Sequence, residues 1–175
     1  MKIGGRYDIG HPAQRVFETL RDKQAELVAF LPNVESVQQL ERAEDPPVVR
    51  LHTKWQGNSD EVAAAIRPFI NREMMSWFDE ASWNGETLVC EWRLRGAKAS
   101  ELFSCTGTTR IVEGQDGGCV FDMTGDMTVH PDKIPGVPKF VAKRIREPIE
   151  KFVGNLLAPN LGKMAQAVQQ YLDKA

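Results

Sequence analysis

The sequence predicts an α+β fold: a curved antiparallel sheet of about seven strands gripping a long C-terminal helix, with two short helices after the first strand. Three observations carry this expectation. Between residues 34 and 130, six strand-like segments follow one another, each bounded by Pro, Gly, Asn or Asp, and those joined by short turns must be antiparallel neighbours. An alternating N-terminal segment runs straight into a proline-led helical stretch, and after residue 138 the apolar residues fall at helical spacing to the end.

Lys2 to Ile9 place Ile3, Tyr7 and Ile9 on one side and Lys2, Arg6 and Asp8 on the other, the period of a half-buried strand. Pro12 suits the first turn of a helix over Pro12 to Arg21, whose apolar face is Val16, Phe17 and Leu20. A second short helix, Gln24 to Leu31, stops at Pro32. The six strands are Val34 to Arg42, Val48 to Gln56, Met74 to Trp83, Thr87 to Arg95, Leu102 to Val112 and Cys119 to His130. Ser59 to Glu73 keeps partial helical spacing, interrupted by Pro68, and reads as a mostly helical or irregular insertion.

In the C-terminal helix, Ile145, Ile149, Phe152, Val153 and Leu156 share one sector of a wheel drawn at about 100° per residue. Leu161, Met164, Val168 and Leu172 share another, out of phase by about one residue. A π-bulge or short break at Pro159 would align the two stripes, and Pro148 would separate a basic lead-in from the main helix.

Composition excludes several function classes. The 175 residues suffice for one domain spanning the chain, 1–175. With 22 basic against 24 acidic side chains, the formal charge of −2 argues against a nucleic-acid partner, which needs excess Lys and Arg. The first ten residues hold no apolar run suited to a signal peptide and no stretch is long enough to span a bilayer, so the expected compartment is the cytoplasm. Cys90, Cys105 and Cys119 have the spacing of neither a disulfide framework nor a zinc site, and read as buried free thiols. His11, His52 and His130 form no local motif, no metal or other cofactor is implied, and oligomeric state is left open.

Strand parity defines two faces. Leu51, Thr53 and Trp55 point inward with Arg50, His52 and Lys54 outward; Leu88, Cys90, Trp92 and Leu94 point inward; so do Phe121, Met123, Met127 and Val129, with Gly125 as a gap. Asp122 and Asp126, roughly 13 Å apart by strand rise, solvate the outer face. Asp79 shares its face with Met75, Trp77 and Trp83; a bulge or exposure near the strand end would leave it solvated, whereas burial there would raise its pKa by desolvation and make it the candidate general acid or base. Thr53, Thr106 and Cys105 are candidates for hydrogen bonding inside a pocket, and Arg67 for pairing a ligand carboxylate at its entrance. Such an inner face either packs solid or leaves a cleft walled by aromatic and thioether groups.

The opening strand leading into HPAQRVFETLRD, the strand series, the loop IPGVP and the final EKFVGNLLAPNLGKMAQAV together resemble the helix-grip fold of the START-like (SRPBCC) superfamily. That superfamily includes lipid-transfer domains, polyketide cyclases and aromatases, and coenzyme-Q-binding proteins. The resemblance implies an elongated pocket between sheet and C-terminal helix for an apolar small molecule such as a lipid, sterol, quinone or polyketide. Its expected lining is Leu51, Thr53, Trp55, Trp77, Cys90, Trp92, Phe121, Met123 and Met127 from the sheet, with Phe152, Leu156 and Met164 from the helix. No catalytic motif is shared across the superfamily, and the block Val62 to Phe69 departs from its pattern in a place suited to narrowing the entrance. The expected function is binding or transport of a hydrophobic molecule. The alternatives are a cyclase or aromatase using Asp79, and an interaction module with a filled core. Lys139, Lys143, Arg144, Arg146 and Lys151 beside Phe140 read first as a solvated helix face, with transient contact to an anionic membrane as the alternative.

Overall fold

A computed structural model describes residues 1–58, 72–97, 103–133 and 138–175, with the side chains of all of these except 74, 131, 139, 145, 148, 149 and 151–161. In chain order the elements are β1 (Lys2–Ile9), α1 (Ala13–Asp22), α2 (Gln24–Leu27), β2 (Val34–Asp45), β3 (Val48–Gly57), β4 (Ser76–Asn84), β5 (Val89–Gly96), β6 (Phe103–Glu113), β7 (Cys119–Val129) and α3 (Lys139–Lys174). Single 3-10 turns lie at Val28–Phe30, Arg72–Met75 and Pro131–Lys133. The seven strands form one antiparallel sheet in the order β1-β7-β6-β5-β4-β3-β2. The α+β architecture expected from the sequence is the one observed.

β1 and β2 are consecutive strands yet form opposite edges, because α1 and α2 carry the chain from one edge to the other. α1 buries Ala13, Val16, Phe17 and Leu20, the i, i+3, i+4, i+7 stripe of a helix pressed on a sheet. Phe17 meets Trp83 of β4 edge-on, with ring centroids 5.3 Å apart. The second helix is shorter than the sequence suggests. It tightens into the 3-10 turn after Leu27, with Leu31 N–H donating to the Val28 carbonyl, because Pro32 bars the residue before it from helical geometry.

Other departures are local. β5 begins at Val89 rather than Thr87, since Asn84 Oδ1 accepts the N–H groups of both Glu86 and Thr87, and Leu88 takes a positive φ of 52°. The β6–β7 turn uses positive φ at Asp116 and Gly117, closed by Gly114 N–H donating to Gly118 O.

α3 is a single α-helix of 36 residues through both Pro148 and Pro159. The interruption expected at Pro159 and the separate lead-in before Pro148 are not seen. A proline removes one backbone hydrogen bond and crowds one carbonyl, which bends a helix without having to end it. In its C-terminal part Ala165, Val168 and Leu172 are buried, and the helix is tied to the chain leaving β1. Gly10 N–H donates to Gln169 Oε1 at 2.7 Å, and His11 Nε2 lies 2.8 Å from Asp173 Oδ1. Gly162 brings the helix onto Tyr7, where an added Cβ would stand 3.1 Å from the ring. Among the described residues no helix is long and apolar enough to cross a membrane. Of the insertion expected over Ser59 to Glu73, residues 59–71, with Arg67 and the block Val62 to Phe69, lie outside the described residues, and Arg72 and Glu73 open a 3-10 turn.

Candidate binding cavity

Cross-strand register determines what the inner face looks like. Trp92 on β5 pairs with Gly107 on β6, and Gly107 pairs with Gly125 on β7. The two glycines form a bare shelf under the Trp92 ring. A Cβ at Gly125 would stand 2.7 Å from Trp92 Cη2, and one at Gly107 would overlap both the indole and the Thr124 carbonyl oxygen. Above this shelf, Trp92 donates its indole N–H to Thr109 Oγ1 at 3.1 Å. Trp55 likewise donates to Thr53 Oγ1 at 2.9 Å, and its ring stacks on Trp77 with centroids 6.0 Å apart and planes 10° from parallel.

The space left between these rings, the α1–α2 region and α3 is a cavity of about 230 Å³. All four tryptophans of the chain line it: Trp55, Trp77, Trp83 and Trp92. Cys90, Phe121, Met123 and Met164, expected in a pocket from the sequence, line it too, as does Asp79. Leu51, Thr53 and Met127 are buried in the core but do not line the cavity. Thr53 stands one layer behind, holding Trp55. Phe152 and Leu156 lie outside the residues whose side chains are described.

Several parts of the lining lie outside the set expected from the sequence. Leu20, Leu27 and Leu31 come from the two short helices, whose approach to the cavity no strand alternation reveals. Trp83 and Leu94 sit on strand faces that alternation had already turned inward. Thr109 is the cavity hydroxyl from β6; Thr106 has the opposite parity to Cys105 and is exposed on the outer face, which corrects its expected inward position. Cys105 is buried beside the cavity without lining it.

Asp79 is the buried charge of the site. It sits at mid-strand in β4, opposite Thr53 of β3 and Leu94 of β5, and is only partly buried because one side faces the void. Its Oδ1 is sealed from solvent and has no hydrogen-bond partner among the described residues. Burial, seconded by the neighbouring Glu80 charge, pushes its carboxyl up to about 7. Glu80 itself points to the outer face, where it pairs with Arg95. Trp83 Nε1 and Gln24 Oε1 are also buried and unpartnered among the described residues, and both residues line the cavity. Lys163 of α3 lines the helix side.

All three cysteines are free and buried. Burial raises each thiol: Cys105 and Cys119 to about 11, and Cys90 further, with Asp79 adding to the effect. They are therefore poor nucleophiles at neutral pH. On the outer face Asp126 pairs with Lys2 and Asp122 with Arg6, the latter at 3.6 Å, as solvated carboxylates should. At the start of α3, Phe140 is 74 % exposed beside exposed Lys143 and Arg144.

Residues 9–153 match the model of the family described as polyketide cyclase / dehydrase and lipid transport. The chain belongs to this family. Solved structures agree with the polyketide cyclase / dehydrase and lipid transport assignment at the level of fold. TTHA0849 from Thermus thermophilus superposes with a TM-score of 0.66 at 17% identity, covering 98% of this chain and 99% of that one. The Zhui aromatase/cyclase of Streptomyces sp. R1128 gives 0.61 at 20% identity, covering 99% and 94%. The norcoclaurine synthase of Thalictrum flavum gives 0.62 at 14% identity, covering 100% and 87%. A search of curated protein sequences found no match. The chain thus carries the helix-grip fold of the polyketide cyclase / dehydrase and lipid transport family.

Proposed function

We propose that the protein binds a small hydrophobic ring molecule in the cavity between the sheet and α3. The observation that carries this reading is the convergence of all four tryptophans on one apolar space of about 230 Å³. Size narrows the guest. Sites for drug-sized ligands run from about 300 Å³ upward, whereas an engineered apolar cavity of about 150 Å³ holds benzene. A one- or two-ring compound suits this volume; a sterol or long-chain lipid exceeds it.

Energetics favour a modest binder. A guest burying roughly 200 Å² of ring surface gains about 5 kcal/mol, which corresponds to a Kd on the order of 0.2 mM before any polar contact is added. A titration series checks the size argument, using benzene, naphthalene, palmitate and cholesterol with the tryptophan indole N–H resonances as readout. Naphthalene is expected to shift them and to bind more tightly than the two lipids. Cholesterol or palmitate binding at least as tightly as naphthalene would refute the size limit, and no response to any aromatic would refute the site.

Ring closure or aromatisation is a second reading, favoured by Asp79. A cavity carboxyl titrating near neutrality is suited to taking and returning a proton at a guest held against it. The interaction module with a filled core is disfavoured by the open cavity.

A further inference from the structure

Accepting that the cavity takes a ring molecule, its polar groups restrict which one. We propose that the preferred guest is a ring compound bearing a protonated amine, with the ammonium on Asp79 and the rings among the tryptophans. This rests on the ring-binding reading and adds the charge of the ligand to it.

Trp55 and Trp92 have committed their indole N–H groups to Thr53 and Thr109. Those two rings can offer a guest only their faces, which carry the negative end of the aromatic quadrupole and attract cations. Two residues that line the cavity, Asp79 and Gln24, each hold a buried acceptor unpartnered among the described residues, Oδ1 and Oε1, against one such donor, Trp83 Nε1. Among these unpartnered atoms acceptors outnumber donors, and an ammonium supplies donors.

Asp79 makes the charge preference specific. A carboxylate held away from water without a partner is costly, and a cation placed against it recovers that cost where a neutral guest does not. An anionic guest would meet Asp79 with like charge. The opposing consideration is Lys163, the one cation among the described lining residues, which stands on the helix side and is half-buried. A guest selected by Lys163 would carry a carboxylate instead.

Three naphthalenes of similar shape separate these outcomes: 2-naphthylmethylamine, neutral 2-ethylnaphthalene and anionic 2-naphthoate. Each is titrated into the whole protein at about pH 8, where Asp79 is mostly ionised. The four indole N–H resonances report directly on the cavity. The amine is expected to bind about tenfold or more tighter than ethylnaphthalene, and Asp79→Asn should bring that ratio close to one. Equal or weaker amine binding in the wild-type protein overturns the proposal, as does a preference for naphthoate or one that survives Asp79→Asn. The wild-type ratio decides alone if the variant does not fold. Ethylnaphthalene binding with no amine preference defeats only this proposal, whereas silence from all three compounds in folded protein defeats the ring-binding reading beneath it.

Discussion

Asp79→Asn is expected to stabilise the folded protein by up to roughly 4 kcal/mol at about pH 8 and to leave stability nearly unchanged at about pH 4. The folded carboxyl titrates near 7, raised by burial from the 3.8 of an unperturbed aspartate. Between those values the folded state holds a proton that the unfolded chain has released, so this group's contribution is full below 3.8 and is lost as pH rises toward 7. Asparagine keeps the shape and removes the ionisation. Other carboxylates act with opposite sign: Asp22, held low by Arg21, and Asp173, held low by His11, favour the fold above their titration range. Taking wild type and variant as a difference at each pH cancels them. Urea unfolding at the two pH values is the measurement, and equal stabilities at about pH 8 would show that Asp79 is paired or hydrated. Should a substrate be found, the same variant tests the second reading, which requires turnover to fall with the fold intact.

Gly107→Ala is expected to destabilise the protein by about 3 kcal/mol, the upper part of the range for overpacking, and to lower the melting temperature by roughly 6–12 °C. The added methyl would overlap a backbone carbonyl, Thr124 O, as well as the Trp92 ring. The carbonyl is held by the β6–β7 ladder, so the indole must lift, taking its hydrogen bond from Thr109 and moving into the cavity. Naphthalene binding should weaken in parallel. Thermal unfolding with an unchanged midpoint would show that the two glycines are not a shelf for Trp92.

What the sequence made readable follows from which interactions are local. Strand alternation placed Trp55, Trp77, Trp92, Phe121 and Met123 on the inner face, because a two-residue period survives any tertiary arrangement. The same parity exposed Asp79 as a carboxyl in apolar company. Alternation does not say how far along a strand the cavity extends. That is why Leu51, Thr53 and Met127 share the correct face but pack in the core away from the void. Nor did it find Leu27 and Leu31, since the crossing of α1 and α2 from edge to edge is a long-range event. Thr106 was misplaced for a simpler reason: it and Cys105 are adjacent in one strand and cannot face the same way. The continuity of α3 through Pro159 was not readable, because phase on a wheel records where apolar residues lie and not whether the backbone bends or breaks between them.

Ligand binding depends on empty space among the four tryptophans, and a crystal pressurised with xenon measures that space directly. Dry apolar cavities take up xenon. The expected result is a xenon atom, or a resident ring molecule already in its place, bounded by Trp55, Trp92, Phe121 and Met123. Side chains of the protein filling that volume, with neither xenon nor a guest present, would contradict it.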